Sequence, residues 1–492
     1  MRNILHKFPL HSLLIAPAII FFLYVHNYQE VYLNATYRSF FISILFSAFI
    51  LTALYFVFRK NIHKAGFYAT VFILPMLSYG WVYEFLESLY YSGKLPIIHI
   101  HRYLIATFFV FSGVFYFITT KRKKTFQSLT QPMNVFVFIV FILNIVVLSS
   151  SSARYLKTAD NKEDESLTLP SHPIADTFPD IYYIILDGYA DDSILLELYN
   201  YNNNSLTDYL AKRDFFISSK SRTNYISTAP SLSSSLNLSY LDSSLINKNQ
   251  KKNIIYSNEV SKYLKQKGYR IIHVRSGFSV SSENNYADTT IALENLNEFE
   301  RTILRYSIFR LDDLVGYAHY KTLKEQLKEM NGVFFPRGPK FVFLHIVSPH
   351  PPFICDENGN FKTSKRVRNI WWEPKEDYLH QLKYINKEVI NFISNVFKQS
   401  KAEPIIIVQS DHGPWVQSAS FKKIYDARSK IINAYHIPYK WKEKLYNEIS
   451  PVNSFRFIFN GLFNDSLPLL KDIPLDSASV FNNMNSDLLE NN

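Results

Sequence analysis

The sequence predicts an α-helical membrane part followed by one large α/β domain built on a mostly parallel sheet. Three observations predict it. Five apolar stretches of bilayer-crossing length lie before residue 151. After residue 180, short apolar runs suited to buried strands alternate with helical patterns. Charge is divided unevenly: the first 150 residues hold 12 of the 53 Lys and Arg but only three of the 42 Asp and Glu. The basic excess therefore sits between apolar runs rather than on a polar face, which argues against a nucleic-acid partner. The single cysteine, Cys355, excludes an intrachain disulfide framework and a cysteine-rich metal site.

The apolar stretches run Phe8–Tyr28, Ser39–Phe58, Ala65–Tyr83, Tyr103–Thr119 and Pro132–Ser150. Uncharged runs in such succession are predicted as five transmembrane helices rather than buried core helices, and a cleaved signal peptide would explain only the first. Arg2 and Lys7 precede the first stretch. Arg59, Lys60 and Lys64 lie between the second and third, and Lys121, Arg122, Lys123 and Lys124 between the fourth and fifth. The opposite loops carry only Arg38, Lys94 and Arg102. Cationic loops stay in the cytoplasm, so the amino terminus is predicted inside, and an odd number of spans places everything after Ser150 outside. Tyr32, Tyr37, Trp81, Tyr83, Tyr90 and Tyr91 fall near the outer ends, as an interfacial aromatic belt does. Glu84 and Glu87 fall at the same level.

Residues 151–179 are polar and interrupted by Pro170, Pro173 and Pro179, a linker composition. The predicted domain spans 180–465, and the Asn- and Ser-rich stretch 466–492 reads as a loose tail. Strand-like runs occur at Ile181–Leu186, Tyr269–Val274, Phe341–Val347, Ile405–Gln409 and Lys430–Tyr435. Helical patterns such as Asn258–Lys267 and Asp377–Gln399 lie between them. That alternation gives a largely parallel sheet, and in such sheets sites gather beyond the carboxyl ends of the strands.

Three of these runs end in groups suited to metal or phosphate chemistry. The first ends Leu186-Asp187-Gly188. Another reads Leu344-His345-Ile346-Val347-Ser348-Pro349-His350-Pro351-Pro352. A third ends Gln409-Ser410-Asp411-His412-Gly413. Taken singly, a strand-end Asp starts turns or caps helices, and His345 fits a core histidine. Their joint placement on one sheet edge points instead to a site, and oxygen and nitrogen ligands of this kind suit zinc, manganese or magnesium. A fourth segment, Ser221 to Leu236, passes from a polar loop into a helical pattern and offers the hydroxyls Ser227, Thr228 and Ser231. A hydroxyl at a helix amino terminus meets free N–H groups and the positive end of the dipole, which favours an anion; the same position also suits a simple N-cap.

The order Asp, then Thr at a helix start, then His-x4-His-Pro, then Ser-Asp-His-Gly resembles the sulfatase-like branch of the alkaline phosphatase superfamily. With five amino-terminal helices ahead of it, the chain resembles lipoteichoic acid synthases and lipid A phosphoethanolamine transferases in architecture. The resemblance implies a sulfatase/alkaline-phosphatase-like sandwich and one divalent metal ion held by Asp187, Thr228, Asp411 and His412. It implies Thr228 as nucleophile in preference to Ser231, because of the Thr-Ala-x-Ser pattern. His350 matches a histidine that contacts substrate or leaving group, and His345 matches the strand histidine before it, also on the substrate side. The chain departs from the pattern in three places. The first acidic ligand is Asp, as in nucleotide pyrophosphatase relatives, where the membrane transferases use Glu. The Cys/Ser-x-Pro-x-Arg motif of true sulfatases is absent, which argues against formylglycine chemistry, and so are the cysteine pairs that brace many phosphoethanolamine transferases.

The expected activity is transfer of a phospho-alcohol headgroup from a phospholipid donor to an envelope glycan or lipid acceptor. The alternatives are a phosphodiesterase or other ester hydrolase, and a catalytically silent envelope scaffold. The expected location is the inner or plasma membrane of a bacterial cell, multi-pass, with a cytoplasmic amino terminus and a periplasmic or extracellular catalytic domain.

Overall fold

The computed structural model describes residues 8–28, 31–91, 100–120, 126–159, 178–241, 251–291, 296–310, 312–334, 338–362, 372, 374–416, 421–437 and 440–473. The central part of the predicted linker, the cationic loop Lys121–Lys124 and most of the predicted tail lie outside the described residues. The chain divides into two compact units. One comprises residues 1–164 with 298–311, and the other 165–297 with 312–491.

The first unit is built from the helices Leu10–Asn27, Tyr37–Val57, Ile62–Leu77, Tyr79–Tyr91, Ile100–Thr120 and Gln127–Ala159. Four are long and apolar enough to cross a membrane, and the pair Ile62–Leu77 and Tyr79–Tyr90, bent by 40°, makes a fifth if counted as one span. The predicted third stretch, Ala65–Tyr83, runs across that bend. Pro75 removes a backbone donor from the last turn of Ile62–Leu77, and Ser78 ends it by donating its hydroxyl to the Leu74 carbonyl at 2.7 Å. Many large apolar side chains stay exposed, among them Phe41, Phe49, Phe56, Phe111 and Leu143. Exposure on that scale is foreign to a water-facing surface and suits lipid.

Packing between these helices uses small and polar side chains. Ser39, Ser43 and Ser47 form a buried stripe along Tyr37–Val57, which lets helices approach closely. His11 is linked to Thr70 at 2.6 Å through Nδ1 and to Asn134 at 2.7 Å through its backbone N–H. His63 reaches Thr130 at 2.8 Å. These bonds join three helices where apolar packing alone gives little specificity. The short helix Glu298–Tyr306 belongs to the same unit. Its Glu300 pairs with Arg38, and its Arg305 lies 3.0 Å from Glu84. Arg310, buried just beyond it, sits 4.0 Å over the Tyr83 ring and within 3.9 Å of Glu87. Glu84 and Glu87 thus serve as anchors for this excursion of the chain.

The second unit is a seven-stranded sheet in the order β2-β7-β6-β1-β5-β3-β4. The strands are β1 (Ile181–Leu186), β2 (Phe216–Ile217), β3 (Arg270–Val274), β4 (Thr289–Ile291), β5 (Lys340–Ile346), β6 (Ile405–Gln409) and β7 (Asn433–His436). β1 pairs in parallel with both β5 and β6, and β3 with β5 and β4. β7 and β2 run antiparallel at one edge. β1 and β6 are buried at every position, the mark of parallel strands covered on both faces. One cover is the helix Lys375–Gln399, whose Tyr378, Leu382, Ile385, Val389 and Val396 join a core that includes Tyr182, Ile184 and Val342. Residues 466–473 are not loose: Asp472 accepts from Ser450 and Asn453, and Leu470 N–H donates to Asn453.

The predicted strands therefore stand within a few residues of the observed ones. The run Lys430–Tyr435 differs most: its strand begins at Asn433 and is antiparallel. Lys430 and Ile431 are drawn into isolated bridges with Arg222 and Ala190.

Candidate active site

Three adjacent strands deliver the site. Asp187 follows β1, Asp411 and His412 follow β6, and His345 and His350 lie on and after β5. The helix Thr228–Leu236 brings Thr228 to the same edge, with Ser227 as the extended residue before it.

Backbone hydrogen bonds leave a defined set of atoms turned inward. Asp411 Oδ1 accepts the N–H of His412 at 2.8 Å and of Gly188 at 3.1 Å. Its Oδ2 is buried with no hydrogen-bond partner among the described residues, and so is Asp187 Oδ1. His412 Nδ1 faces the Gly413 carbonyl at 3.0 Å. A carbonyl only accepts, so Nδ1 carries the proton and Nε2 the lone pair. That Nε2 lies 3.2 Å from Thr228 Oγ1, 3.4 Å from Asp411 Oδ2 and 3.7 Å from Asp187 Oδ1. Two carboxylate oxygens, an imidazole nitrogen and a hydroxyl oxygen thus converge. Asp187, Asp411 and His412 can each offer one ligand atom within 4.8 Å of the others. Buried acceptors without donors are costly unless a cation meets them. The residues present therefore fit a divalent metal ion.

The electrostatics agree with that set. Burial, joined by the Arg428 charge, pushes His412 well below the usual imidazole range, so it is neutral as a ligand must be. Burial, and then the neighbouring Asp187 charge, pushes Asp411 up to about 7. Burial works against ionisation of Asp187 too, yet the charge of His350, joined by the neighbouring His345, holds it below the ordinary carboxylate range. Two carboxylates this close resist ionising together without a cation between them.

The structure brings five of the six sequence-predicted residues to one face of the site and sets the sixth behind it. His350 is half-buried, donates from Nδ1 to the Pro351 carbonyl at 2.6 Å, and lies 6.1 Å ring to ring from His412. His345 is completely buried behind Asp187, with Nε2 3.5 Å from Asp187 Oδ2. Ser231 donates to the Asp411 carbonyl at 2.8 Å, next to Thr223, which donates to the same oxygen at 2.6 Å.

Sequence reasoning missed Trp372 and Arg428. The Trp372 ring stands edge-on to His350, 4.9 Å between centroids, and covers Gly188. Gly188 has φ +74° and any Cβ there would strike the indole, so glycine is required on both counts. Arg428 donates to the carbonyls of Gly413, at 2.9 Å, and Ile226. It thereby ties the loop before Thr228 to the loop after His412. Neither residue lies in a strand-end motif, so no local signal marks them. A cavity of about 570 Å³ is lined by Asp191, Arg222, Lys430, Glu448 and Asp472 among others, none of them a residue of the site.

A sequence profile of the sulfatase family matches residues 179–442. No curated protein sequence matches the chain. Among solved structures, it is similar to the integral membrane protein lipooligosaccharide phosphoethanolamine transferase A of Neisseria meningitidis, with 12% identity over 93% of this chain and 95% of that one and a TM-score of 0.37. It is similar to the C-terminal periplasmic domain of EptC from Escherichia coli, with 13% identity over 60% of this chain and 86% of that one and a TM-score of 0.38. The corresponding domain of phosphoethanolamine transferase EptC from Campylobacter jejuni shows 14% identity over 61% and 95%, with a TM-score of 0.37.

Proposed function

The chain belongs to the sulfatase family, and from that premise we propose that it is a membrane-anchored, metal-dependent phospho-alcohol transferase. In this reading it moves a headgroup from a phospholipid to an envelope glycan or lipid, through Thr228, on the outer side of the inner membrane. The observation that carries it is the convergence of Asp187 Oδ1, Asp411 Oδ2, His412 Nε2 and Thr228 Oγ1 on one point, in a chain that also carries four to five helices fit to span a bilayer.

Asp187, Thr228, Asp411 and His412 would hold the ion. Bound there, a divalent cation supplies Lewis acidity, stabilising the Thr228 alkoxide and drawing charge from a phosphoryl oxygen. Thr228 Oγ1, as the alkoxide that is also the starting state, attacks phosphorus and forms a phosphothreonine ester, while the bond from phosphorus to the lipid alcohol breaks. His350 has its Nδ1–H committed to Pro351, so Nε2 is the atom that exchanges protons. As imidazolium it gives a proton to the leaving lipid alcohol. As neutral imidazole it then takes one from the acceptor hydroxyl, which attacks phosphorus and returns Thr228 to its starting state. Arg428, bonded to the Gly413 and Ile226 carbonyls, holds the loops that carry His412 and Thr228 and adds a positive charge felt at His412.

The test uses the full-length protein in vesicles containing a headgroup-labelled phospholipid and an envelope glycolipid extract. Label on the acceptor, lost with chelator and in Asp187→Ala, Asp411→Ala and His412→Ala, is the expected result. Label released only as free headgroup would replace the transferase by a phosphodiesterase. Absence of turnover and of bound metal would leave a scaffold.

A further inference from the structure

His345 has a second partner that explains its burial. Ser281, on the short turn Ser279–Ser281 after β3, places its hydroxyl 2.6 Å from His345 Nδ1. Ser281 Oγ is 2.9 Å from Ser276 Oγ, which accepts the Phe278 N–H at 3.0 Å. Gln326 fixes the His345 backbone by donating to its carbonyl at 2.7 Å. The imidazole thus has a serine hydroxyl at hydrogen-bond distance from one nitrogen, while its buried Nε2, without a hydrogen-bond partner among the described residues, faces the Asp187 carboxylate at 3.5 Å.

A neutral imidazole carries one N–H, and a carboxylate can only accept. With Nε2 facing Asp187, that nitrogen carries the proton, and Nδ1 accepts from the Ser281 hydroxyl. Reversal would set a lone pair against a buried carboxylate. Asp187 then has Oδ2 facing the His345 N–H at 3.5 Å and Oδ1 turned towards His412 at 3.7 Å.

We propose that Ser281 is a positioning residue: by donating to His345 Nδ1 it fixes the tautomer whose Nε2–H orients Asp187 towards the metal ion. The assignment rests on the reading of Asp187 as a metal ligand. It replaces the substrate contact expected for His345 with an outer contact to a metal ligand, of the kind whose loss typically weakens metal binding about 10–100-fold.

The experiment strips full-length protein in detergent with a chelator and titrates zinc by calorimetry. The thermal midpoint of the metal-free form is measured alongside. Ser281→Ala is expected to weaken zinc binding about tenfold or more, and Ser281→Thr, which keeps the hydroxyl, to restore most of it. Wild-type zinc affinity in Ser281→Ala overturns the proposal. If Ser281→Ala also lowers the metal-free midpoint, Ser281→Thr decides: affinity near wild type upholds the proposal, and a loss equal to that of Ser281→Ala overturns it. A wild-type protein that binds no zinc overturns the metal reading first, and this assignment with it.

Discussion

Thr228, Ser227 and Ser231 lie within one turn of chain, and their hydrogen bonds separate them. Ser231 commits its proton to the Asp411 carbonyl, whereas Thr228 Oγ1 faces His412 Nε2 at 3.2 Å. Ser227 is the extended residue before the helix and makes no side-chain cap. Thr228→Ala is therefore expected to abolish turnover in a folded protein, since losing the buried methyl costs only about 1 kcal/mol. Ser231→Ala removes one of two donors to a carbonyl and is expected to keep substantial activity at a stability cost of about 1 kcal/mol. Mass spectrometry of a trapped intermediate should find the phosphate on Thr228, and an adduct on Ser231 would reverse the assignment. The competition among these hydroxyls was open in the residues themselves and narrowed by the family pattern. Trp372 and Arg428 were not legible at all. Each reaches the site from a segment whose local composition is ordinary, and only tertiary folding sets one over Gly188 and the other between two carbonyls.

At the level of the strand, legibility followed length and burial. β1 and β6 read correctly because an unbroken apolar run between polar stretches has few other uses. β2 and β4, of two and three residues, are too short to leave a period. β7 could be seen as apolar but not as antiparallel, since side-chain pattern carries no direction. β3 holds a residue with a measurable pH signature. His273 is fully buried, and burial, aided by the charge of Arg275, lowers its pKa to about 4. Because the folded value lies below the unfolded one near 6.5, the unfolded chain binds more protons between those limits. The contribution of His273 is fully present above pH 6.5 and is lost as pH falls towards 4, a change of about 3 kcal/mol. Thermal unfolding of the full chain between pH 4 and 6.5 should accordingly show a shallower pH dependence in His273→Gln than in wild type. Equal slopes would mean that the ring is charged, or solvated, in the native state.

For the molecule as a whole, the division into apolar helices and an α/β unit was visible in the sequence, because spans and buried strands both need long uninterrupted apolar patterns. The sidedness rests on loop charge alone. A reporter fused after Ser150 is expected to be active only outside the cytoplasm, and one inserted at Lys121–Lys124 only inside; the reverse pattern would remove the lipid-facing transferase reading. What no pattern foretold is that residues 298–311 cluster with the amino-terminal helices, through Arg38 with Glu300 and Arg305 with Glu84. This bears on whether the protein can be shed. An enzyme joined to its anchor by one stalk is set free by one cut. Here a protease site engineered into 160–177 and cleaved to completion should leave the carboxy-terminal fragment sedimenting with the membranes, because its own helix Glu298–Tyr306 still grips the bundle. Glu84→Ala and Glu300→Ala together, which remove the partners of Arg305 and Arg38, should weaken that grip and raise the share of fragment in the supernatant. Release by the cut alone would show that the polypeptide linker, and not the docked helix, retains the enzyme at the bilayer.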